Sequence, residues 1–310
     1  MPKAVRFSNY GGVEVLDVVE VDDAPVDDDY VKVSVVSAGI NPGEIGIREG
    51  AMADRYPATF PSGQGSDFAG IVAAVGANVT DVSVGDEVIG FSDWRNSQSE
   101  FVVVPSDHVI PKPAAVDWDT AGSLYVAGTT AIACIKTVQP KAGETLVVAG
   151  AAGGVGVLVT QLALNAGAKV IATAGESNHD YLRQLGAVPV TYGDGLEDRI
   201  RAAAPDGIDA FVDAHGSGNV QLAVDLGVTR DRINTIADFA AIEQLRVKGN
   251  GMATVDSRSA LLDLAERFAA GKLTLPVYAR YPLREVRAAY ARLAERHGLG
   301  KIVLEVRPPL

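Results

Sequence analysis

Leu146-Val147-Val148-Ala149-Gly150-Ala151-Ala152-Gly153-Gly154-Val155-Gly156 is a short apolar run that meets a glycine-rich turn. A helical pattern with Val157, Leu158 and Leu162 on one side follows. Strand, glycine turn and helix together form a pyrophosphate site. Glycines let the backbone approach the anion, and a helix N-terminus offers unpaired N–H groups and the positive end of its dipole. The pattern is Ala151-x-Gly153-x-x-Gly156, with alanine where the usual fingerprint has its first glycine. Gly150, Ala152, Gly153, Gly154 and Val155 are the expected phosphate-side contacts. A tight packing turn with no ligand is the competing reading. The next apolar run, Lys169–Thr173, begins where a βαβ unit needs its second strand, which favours nucleotide binding.

Outward from this unit the alternation continues. Strands are expected at 188–191, 208–212 and 232–236, and helices at 180–185, 196–204, 220–226 and 259–270. Alternating strands and helices predict a parallel, doubly wound sheet. Residues 1–115 differ. Val31–Val36 alternates apolar and polar, and short apolar runs at 70–75, 86–90 and 101–104 are separated by Gly, Pro, Asn and Asp. That pattern predicts a β-rich domain. Residues 120–138 carry a helical period, and a helix at 284–295 leads to a final strand at 301–306, expected to rejoin the first domain.

The composition narrows the function. Apolar residues make up 47% and charged residues 21%, as in a water-soluble globular protein. A net charge of −12 argues against a nucleic-acid partner, which requires basic patches. The acidic group Asp22, Asp23, Asp27, Asp28 and Asp29 suits a solvated loop. The single Cys134 excludes a disulfide within the chain and fits a reducing compartment. No signal-like or membrane-spanning apolar run is present, so a cytoplasmic protein without a membrane partner is expected.

Several runs, in order along nearly the whole chain, resemble the medium-chain dehydrogenase/reductase superfamily and its zinc-free, NADP-dependent quinone oxidoreductase-like branch. They are Ala4-Val5-Arg6-Phe7 with Tyr10-Gly11-Gly12, Ala38-Gly39-Ile40-Asn41-Pro42, Gly65-Ser66-Asp67-Phe68-Ala69-Gly70, Val84-Gly85-Asp86-Glu87-Val88, the glycine turn, and Gly300-Lys301-Ile302-Val303-Leu304. The resemblance implies an α/β protein: a GroES-like β-rich catalytic domain at 1–118, completed by 277–310, and a Rossmann doubly wound parallel-sheet domain at 119–276. It also implies a homodimer paired through a Rossmann edge near 245–255, where Lys248-Gly249-Asn250-Gly251 interrupts the pattern.

In zinc-dependent members of the superfamily, a Cys and a His-Glu pair stand where this chain has Asn41, Ser66 and Asp67. Zinc prefers thiolate and imidazole, and the four histidines show no ligand spacing. No zinc site is therefore expected, and an enzyme without a Lewis acid needs an activated acceptor. An acid at the tip of the second Rossmann strand would mark NAD. Here the strand ends Thr173-Ala174-Gly175 without one. The resemblance sets Ser177, His179 and Tyr192 around an NADP 2′-phosphate. Glu176 in the same loop keeps NADH open as the alternative.

The resemblance also sets Asn41 and Thr130 near the nicotinamide and adds Ala214 and Lys301 to the cofactor contacts. An amide at Asn41 can donate to a developing oxyanion, although a turn residue before proline is the plainer reading. Tyr56 and Tyr125 are candidate proton donors by chemistry or simple packing residues. Trp94 either covers a substrate mouth or decorates a surface loop. The expected activity is hydride transfer from NADPH to a quinone or an α,β-unsaturated carbonyl. Reduction of simple aldehydes or ketones, and a low-turnover NADPH-binding sensor or structural protein, are the alternatives.

Overall fold

The computed structural model describes residues 1–308. In chain order the strands and α-helices are β1 (Lys3–Phe7), β2 (Asp17–Glu20), β3 (Tyr30–Gly39), α1 (Pro42–Arg48), β4 (Ser62–Gly63), β5 (Asp67–Val75), β6 (Glu87–Phe91), β7 (Phe101–Pro105), β8 (Val109–Pro111), α2 (Trp118–Gly122) and α3 (Tyr125–Val138). They continue with β9 (Thr145–Ala149), α4 (Gly154–Asn165), β10 (Lys169–Thr173), α5 (His179–Leu185), β11 (Val188–Val190), α6 (Leu196–Ala203), β12 (Ala210–Asp213), α7 (Asn219–Asp225), β13 (Ile233–Thr235), α8 (Phe239–Leu245), α9 (Ser257–Ala269), β14 (Val277–Pro282), α10 (Val286–Ala294) and β15 (Lys301–Glu305). The chain divides into two compact units: 1–126 with 257–272 and 276–310, and 127–256 with 273–275. The expected boundaries, 118/119 and 276/277, differ from these. Most notably, α9 belongs to the first unit. Its Arg258 donates to the carbonyl oxygens of Ser106, Asp107 and Val109 and pairs with Asp81, ties that a sequence pattern does not disclose.

The first unit is built on strands. A seven-stranded sheet runs β14-β15-β3-β5-β6-β8, with β7 also paired to β3, and a three-stranded sheet runs β2-β1-β4. The alternation at Val31, Val33 and Val35 becomes one buried face of β3, packed with Phe68, Val72, Val88, Val102 and Val104. The last strand rejoins this unit as expected: β15 pairs antiparallel with β3, with Val303 opposite Gly39. A second apolar cluster joins Val5, Phe7, Leu16 and Ile40 to Val286, Ala289, Tyr290 and Leu304.

The expected single helix over 120–138 is divided into α2 and α3. Ser123 ends α2 by donating its hydroxyl to the carbonyls of Asp119 and Thr120, at 2.8 and 3.3 Å. The break allows a close approach to β3. A Cβ on Gly122 would stand 2.5 Å from the Ser37 carbonyl oxygen, and one on Gly39 would stand 2.7 Å from Ser123 Cα.

The second unit contains one parallel sheet, in the order β11-β10-β9-β12-β13. Leu146, Val147, Val148 and Ala149 of β9 are each fully buried, as expected for a central strand covered on both faces. The apolar interior gathers Val147, Ile171, Phe211 and Ile233 with Ile200, Val220 and Ala223 from the helices. The expected edge at 245–255 is not a strand. Arg246 turns left-handed at φ 54°, and the segment then meets the sheet through an isolated parallel bridge between Asn234 and Lys248, hydrogen bonds between Asn234 and Asn250, and the buried Val247 side chain. Among the described residues, no helix is long and apolar enough to cross a membrane.

Candidate functional site

In the first unit a polar network grows from the start of α1. Asn41 is the N-cap, Pro42 takes the first helical position and Glu44 the third, which makes a capping box. Glu44 Oε2 accepts from the Asn41 backbone N–H at 2.9 Å, and Oε1 accepts from Asn41 Nδ2 at 3.1 Å. Three further elements converge on this pair. Asp67, at the start of β5, accepts from Asn41 Nδ2 at 2.5 Å and from the Val126 N–H at 2.7 Å. Lys301, at the start of β15, donates to Asn41 Oδ1 at 2.5 Å and to the Ile40 carbonyl at 3.0 Å, with Asp67 Oδ2 3.7 Å away. Tyr290 on α10 donates its hydroxyl to Glu44 Oε2 at 2.5 Å and accepts from Gln98 Nε2 at 2.6 Å. The antiparallel register of β3 and β15 (Val303 opposite Gly39) explains how Lys301 comes to face Asn41.

Every side chain in this cluster is buried, with Asp67 and Tyr290 at 0% exposure and Lys301 at 4%. Burial raises the Glu44 carboxyl above its ordinary range and the neighbouring Asp67 charge adds to the effect, while the hydrogen bonds from Tyr290 and Asn41 oppose it. Burial also lifts the Tyr290 phenol well above its usual value, reinforced by Glu44. The Arg48 guanidinium, 1% exposed, lies 5.3 Å from the Tyr290 ring. Both N–H directions of the Asn41 amide are given to carboxylates and its oxygen receives the Lys301 ammonium. The geometry thus leaves no amide proton for an incoming oxyanion, so the expected donor role does not follow from it.

In the second unit, β9 runs into the glycine turn and α4. Gly150 takes the left-handed conformation at φ 76°, performing one residue earlier the turn that the missing first glycine would make. Its N–H is held by the Thr173 hydroxyl at 3.2 Å. Gly156 is required by packing: a Cβ there would stand 2.1 Å from the Gly150 carbonyl oxygen. Gly153 is different. It is the N-cap, no side chain caps the helix, and a Cβ there would meet only the Gly150 oxygen at 3.5 Å. The protein itself does not need glycine at 153, whereas a phosphate against the first turn of α4 would.

The alcohol dehydrogenase GroES-like domain family matches residues 27–114, and the zinc-binding dehydrogenase family matches residues 185–304. Human (Homo sapiens) quinone oxidoreductase is 30% identical over 324 residues, covering 97% of each chain. The chloroplastic NADPH-dependent alkenal/one oxidoreductase of Arabidopsis thaliana is 29% identical over 320 residues, covering 97% of this chain and 79% of its own. Among solved structures, the quinone oxidoreductase from Coxiella burnetii superposes with a TM-score of 0.89 at 28% identity, over 99% of both chains. The chain belongs to the medium-chain dehydrogenase/reductase superfamily, in its quinone oxidoreductase-like branch. It is an oxidoreductase of that family.

Within this quinone oxidoreductase-like chain the expected site residues fall into separate groups. Asn41 and Lys301 meet in the buried network. Gly150, Ala152, Gly153, Gly154 and Val155 form the turn, with Thr173 bonded to it. Thr130 is 6% exposed on α3. Ser177 is exposed, His179 Nε2 lies 3.2 Å from the Ala174 carbonyl, and Tyr192, 52% exposed, approaches Gly175. Ala214 follows β12, its N–H bonded to Ala149 O at 3.0 Å. Tyr56 is exposed at the surface, with the Arg55 guanidinium 5.3 Å from its ring. Tyr125 is buried; its hydroxyl lies 3.1 Å from Ser257 Oγ, and burial raises it to about 12. Trp94 is exposed and stacks on Tyr30 at 6.1 Å.

Two groups escape the sequence reading. Tyr290 lies in an ordinary amphipathic helix, and nothing local announces its polar partner. Arg199 on α6 donates to the carbonyls of Thr191, Tyr192, Gly193 and Asp194, bringing a cation to the Tyr192 loop that residues 174–180 do not supply. The capping box at Asn41-Pro42-Gly43-Glu44, by contrast, has a local signal that the turn reading of Asn41 passed over: an N-cap residue three positions before a glutamate.

Where the resemblance sets the zinc ligands of zinc-dependent superfamily members, this chain has an amide, a serine and an aspartate, with the Lys301 ammonium bonded to Asn41 and facing Asp67. These residues do not fit zinc, which takes thiolate, imidazole and carboxylate ligands, and a fixed ammonium repels a dication.

Proposed function

We propose that this protein is a zinc-independent reductase that transfers hydride from NADPH to a quinone or an α,β-unsaturated carbonyl. The observation that carries the nucleotide half is the uncapped start of α4, where Gly153 is kept free of a side chain that the protein could accommodate. The Arabidopsis relative, by its name an NADPH-dependent alkenal/one oxidoreductase, supports both cofactor and acceptor class.

NADPH, when bound, supplies the hydride. The backbone N–H groups of Gly154 and Val155 and the turn at Gly150 hold its pyrophosphate. Ser177, His179 and Tyr192 receive the 2′-phosphate, with Arg199 supplying positive charge to their loop. Thr130 and Ala214 contact the nicotinamide side. Asn41 acts by position: held on Glu44, Asp67 and Lys301, it fixes the start of α1. Lys301, placed with the cofactor contacts by resemblance, takes the same structural part in this reading. Tyr56 or water provides the proton. With no Lewis acid to polarise an unactivated carbonyl, the acceptor has to be activated already.

The protein is read as a cytoplasmic homodimer without nucleic-acid or membrane partners; sedimentation of the purified chain tests the oligomeric state. The central experiment titrates NADPH and NADH side by side by calorimetry, then adds 1,4-benzoquinone to the tighter complex. Tighter NADPH binding with quinone-dependent oxidation, unaffected by a chelator, is the expected result. Preference for NADH would make exposed Glu176 the ribose ligand. Binding without turnover on quinones or enones would leave a sensor, and turnover confined to simple aldehydes would leave a carbonyl reductase.

A further inference from the structure

The loop after β12 has an unusual construction. Asp213, 0% exposed, accepts at Oδ1 from the N–H groups of His215 and Gly216, at 3.0 and 2.8 Å, and from Asn219 Nδ2 at 3.1 Å. Its Oδ2 accepts from the Thr235 hydroxyl at 2.7 Å. Four donors are thus spent on shaping residues 214–218, in which Gly216, Ser217 and Gly218 take φ values of 89°, 60° and 80°. A non-glycine residue in that region costs of order 1 kcal/mol, so the conformation is imposed by the carboxylate.

The carboxylate places His215 beside the glycine turn. β12 is the parallel neighbour of β9, with Asp213 paired to Ala149. A Cβ built on Gly150 would stand 3.1 Å from the Cβ of His215. The imidazole is exposed, and among the described residues its ring has no hydrogen-bond partner. The first turn of α4, Gly154-Val155-Gly156, carries no charged side chain.

The sheet order decides which half of a dinucleotide His215 meets. The pyrophosphate belongs at the tip of β9, and the adenosine ribose is recognised at the tip of the second strand, here β10. β10 and β12 flank β9 on opposite sides. The half that does not lie over β10 lies over β12.

We propose that His215 is a cofactor-positioning residue, its ring N–H donating to the ribose or phosphate oxygens of the nicotinamide mononucleotide half. This inference rests on the nucleotide reading above and adds a side chain to it.

Calorimetric titration of the wild type and of His215→Ala with NADPH and with adenosine 2′,5′-bisphosphate, which lacks the nicotinamide half, tests it. The exposed ring leaves the fold intact on truncation, which an unchanged melting temperature verifies. His215→Ala is expected to weaken NADPH binding about ten-fold, the effect of one charge-assisted hydrogen bond. It is expected to leave the bisphosphate within two-fold of wild type, and His215→Gln, which keeps an N–H donor, is expected to recover most of the loss. Unchanged NADPH affinity in His215→Ala, equal weakening of both ligands, or a glutamine variant as weak as the alanine one overturns the proposal. If the wild type binds neither ligand, the nucleotide reading itself falls.

Discussion

At the scale of residues, the first unit concentrates its cost and its information in one buried cluster. Two carboxylates, an ammonium, an amide and a phenol share it, and each is held in place by another. Removing one partner of a buried ion pair leaves the other desolvated, at a cost of about 3–5 kcal/mol. Lys301→Met is therefore expected to lower unfolding stability in urea by that amount; a loss below about 1 kcal/mol would mean that Asp67 and Asn41 satisfy each other without the ammonium. Glu44 provides a pH test with a definite sign. Its folded carboxyl is raised above the ordinary value of 4.5, so over the window above that value the native state holds more proton than the unfolded chain. Its contribution is most favourable below the unfolded value and declines as pH rises through the folded one. The stability of wild type relative to Glu44→Gln is expected to fall as pH rises from about 4.5, read from urea midpoints at a series of pH values; a difference independent of pH would refute the perturbation.

At the scale of elements, the turn from β9 into α4 assigns different work to glycines that look alike in the sequence. Gly156 is a packing glycine, because any Cβ collides with the Gly150 backbone. Gly153 is the glycine that the proposed function gives to the ligand, because a Cβ there would meet only the Gly150 oxygen, at 3.5 Å. Gly153→Val is expected to fold with a near-native melting temperature and to lose NADPH binding by at least a hundred-fold in calorimetry. Gly156→Val is expected to unfold the second unit, seen as lost helical circular dichroism. If Gly153→Val still binds NADPH, the pyrophosphate does not sit against the start of α4. The helix boundary at Ser123 follows the same logic: periodicity ran on through 120–138, but close packing of α2 on β3 ended it.

At the scale of the whole molecule, the first unit is assembled from distant parts of the chain. β14, β15, α9 and α10 come from beyond residue 256, and they carry Lys301 and Tyr290. A chain ending at Asp256 is expected to leave β3 without its partner β15 and Asn41 without its ammonium. Limited proteolysis of that truncation should degrade residues 1–126 rapidly, while the full chain resists. Persistence of a protected fragment spanning 1–126 would show that the first unit folds without its C-terminal strands.

The sequence by itself determined the fold class, the βαβ unit and the return of the last strand to the first unit. The first two rest on local signals, since hydrophobic period, glycine turns and an apolar strand face are all written within short windows; the third rests on the resemblance that runs along nearly the whole chain. It also named Asn41, Gly153 and Lys301, because each belongs to a short recognisable run. Only the tertiary structure decided what those residues touch. Glu44, Asp67 and Lys301 are separated by up to 257 positions yet close on one amide, with Tyr290 bonded to Glu44 behind it, and that convergence depends on strand register and helix docking. His215 is the same kind of case. Nothing in Ala214-His215-Gly216 marks it, and it gains its place beside Gly150 only because β12 pairs with β9 in one particular register.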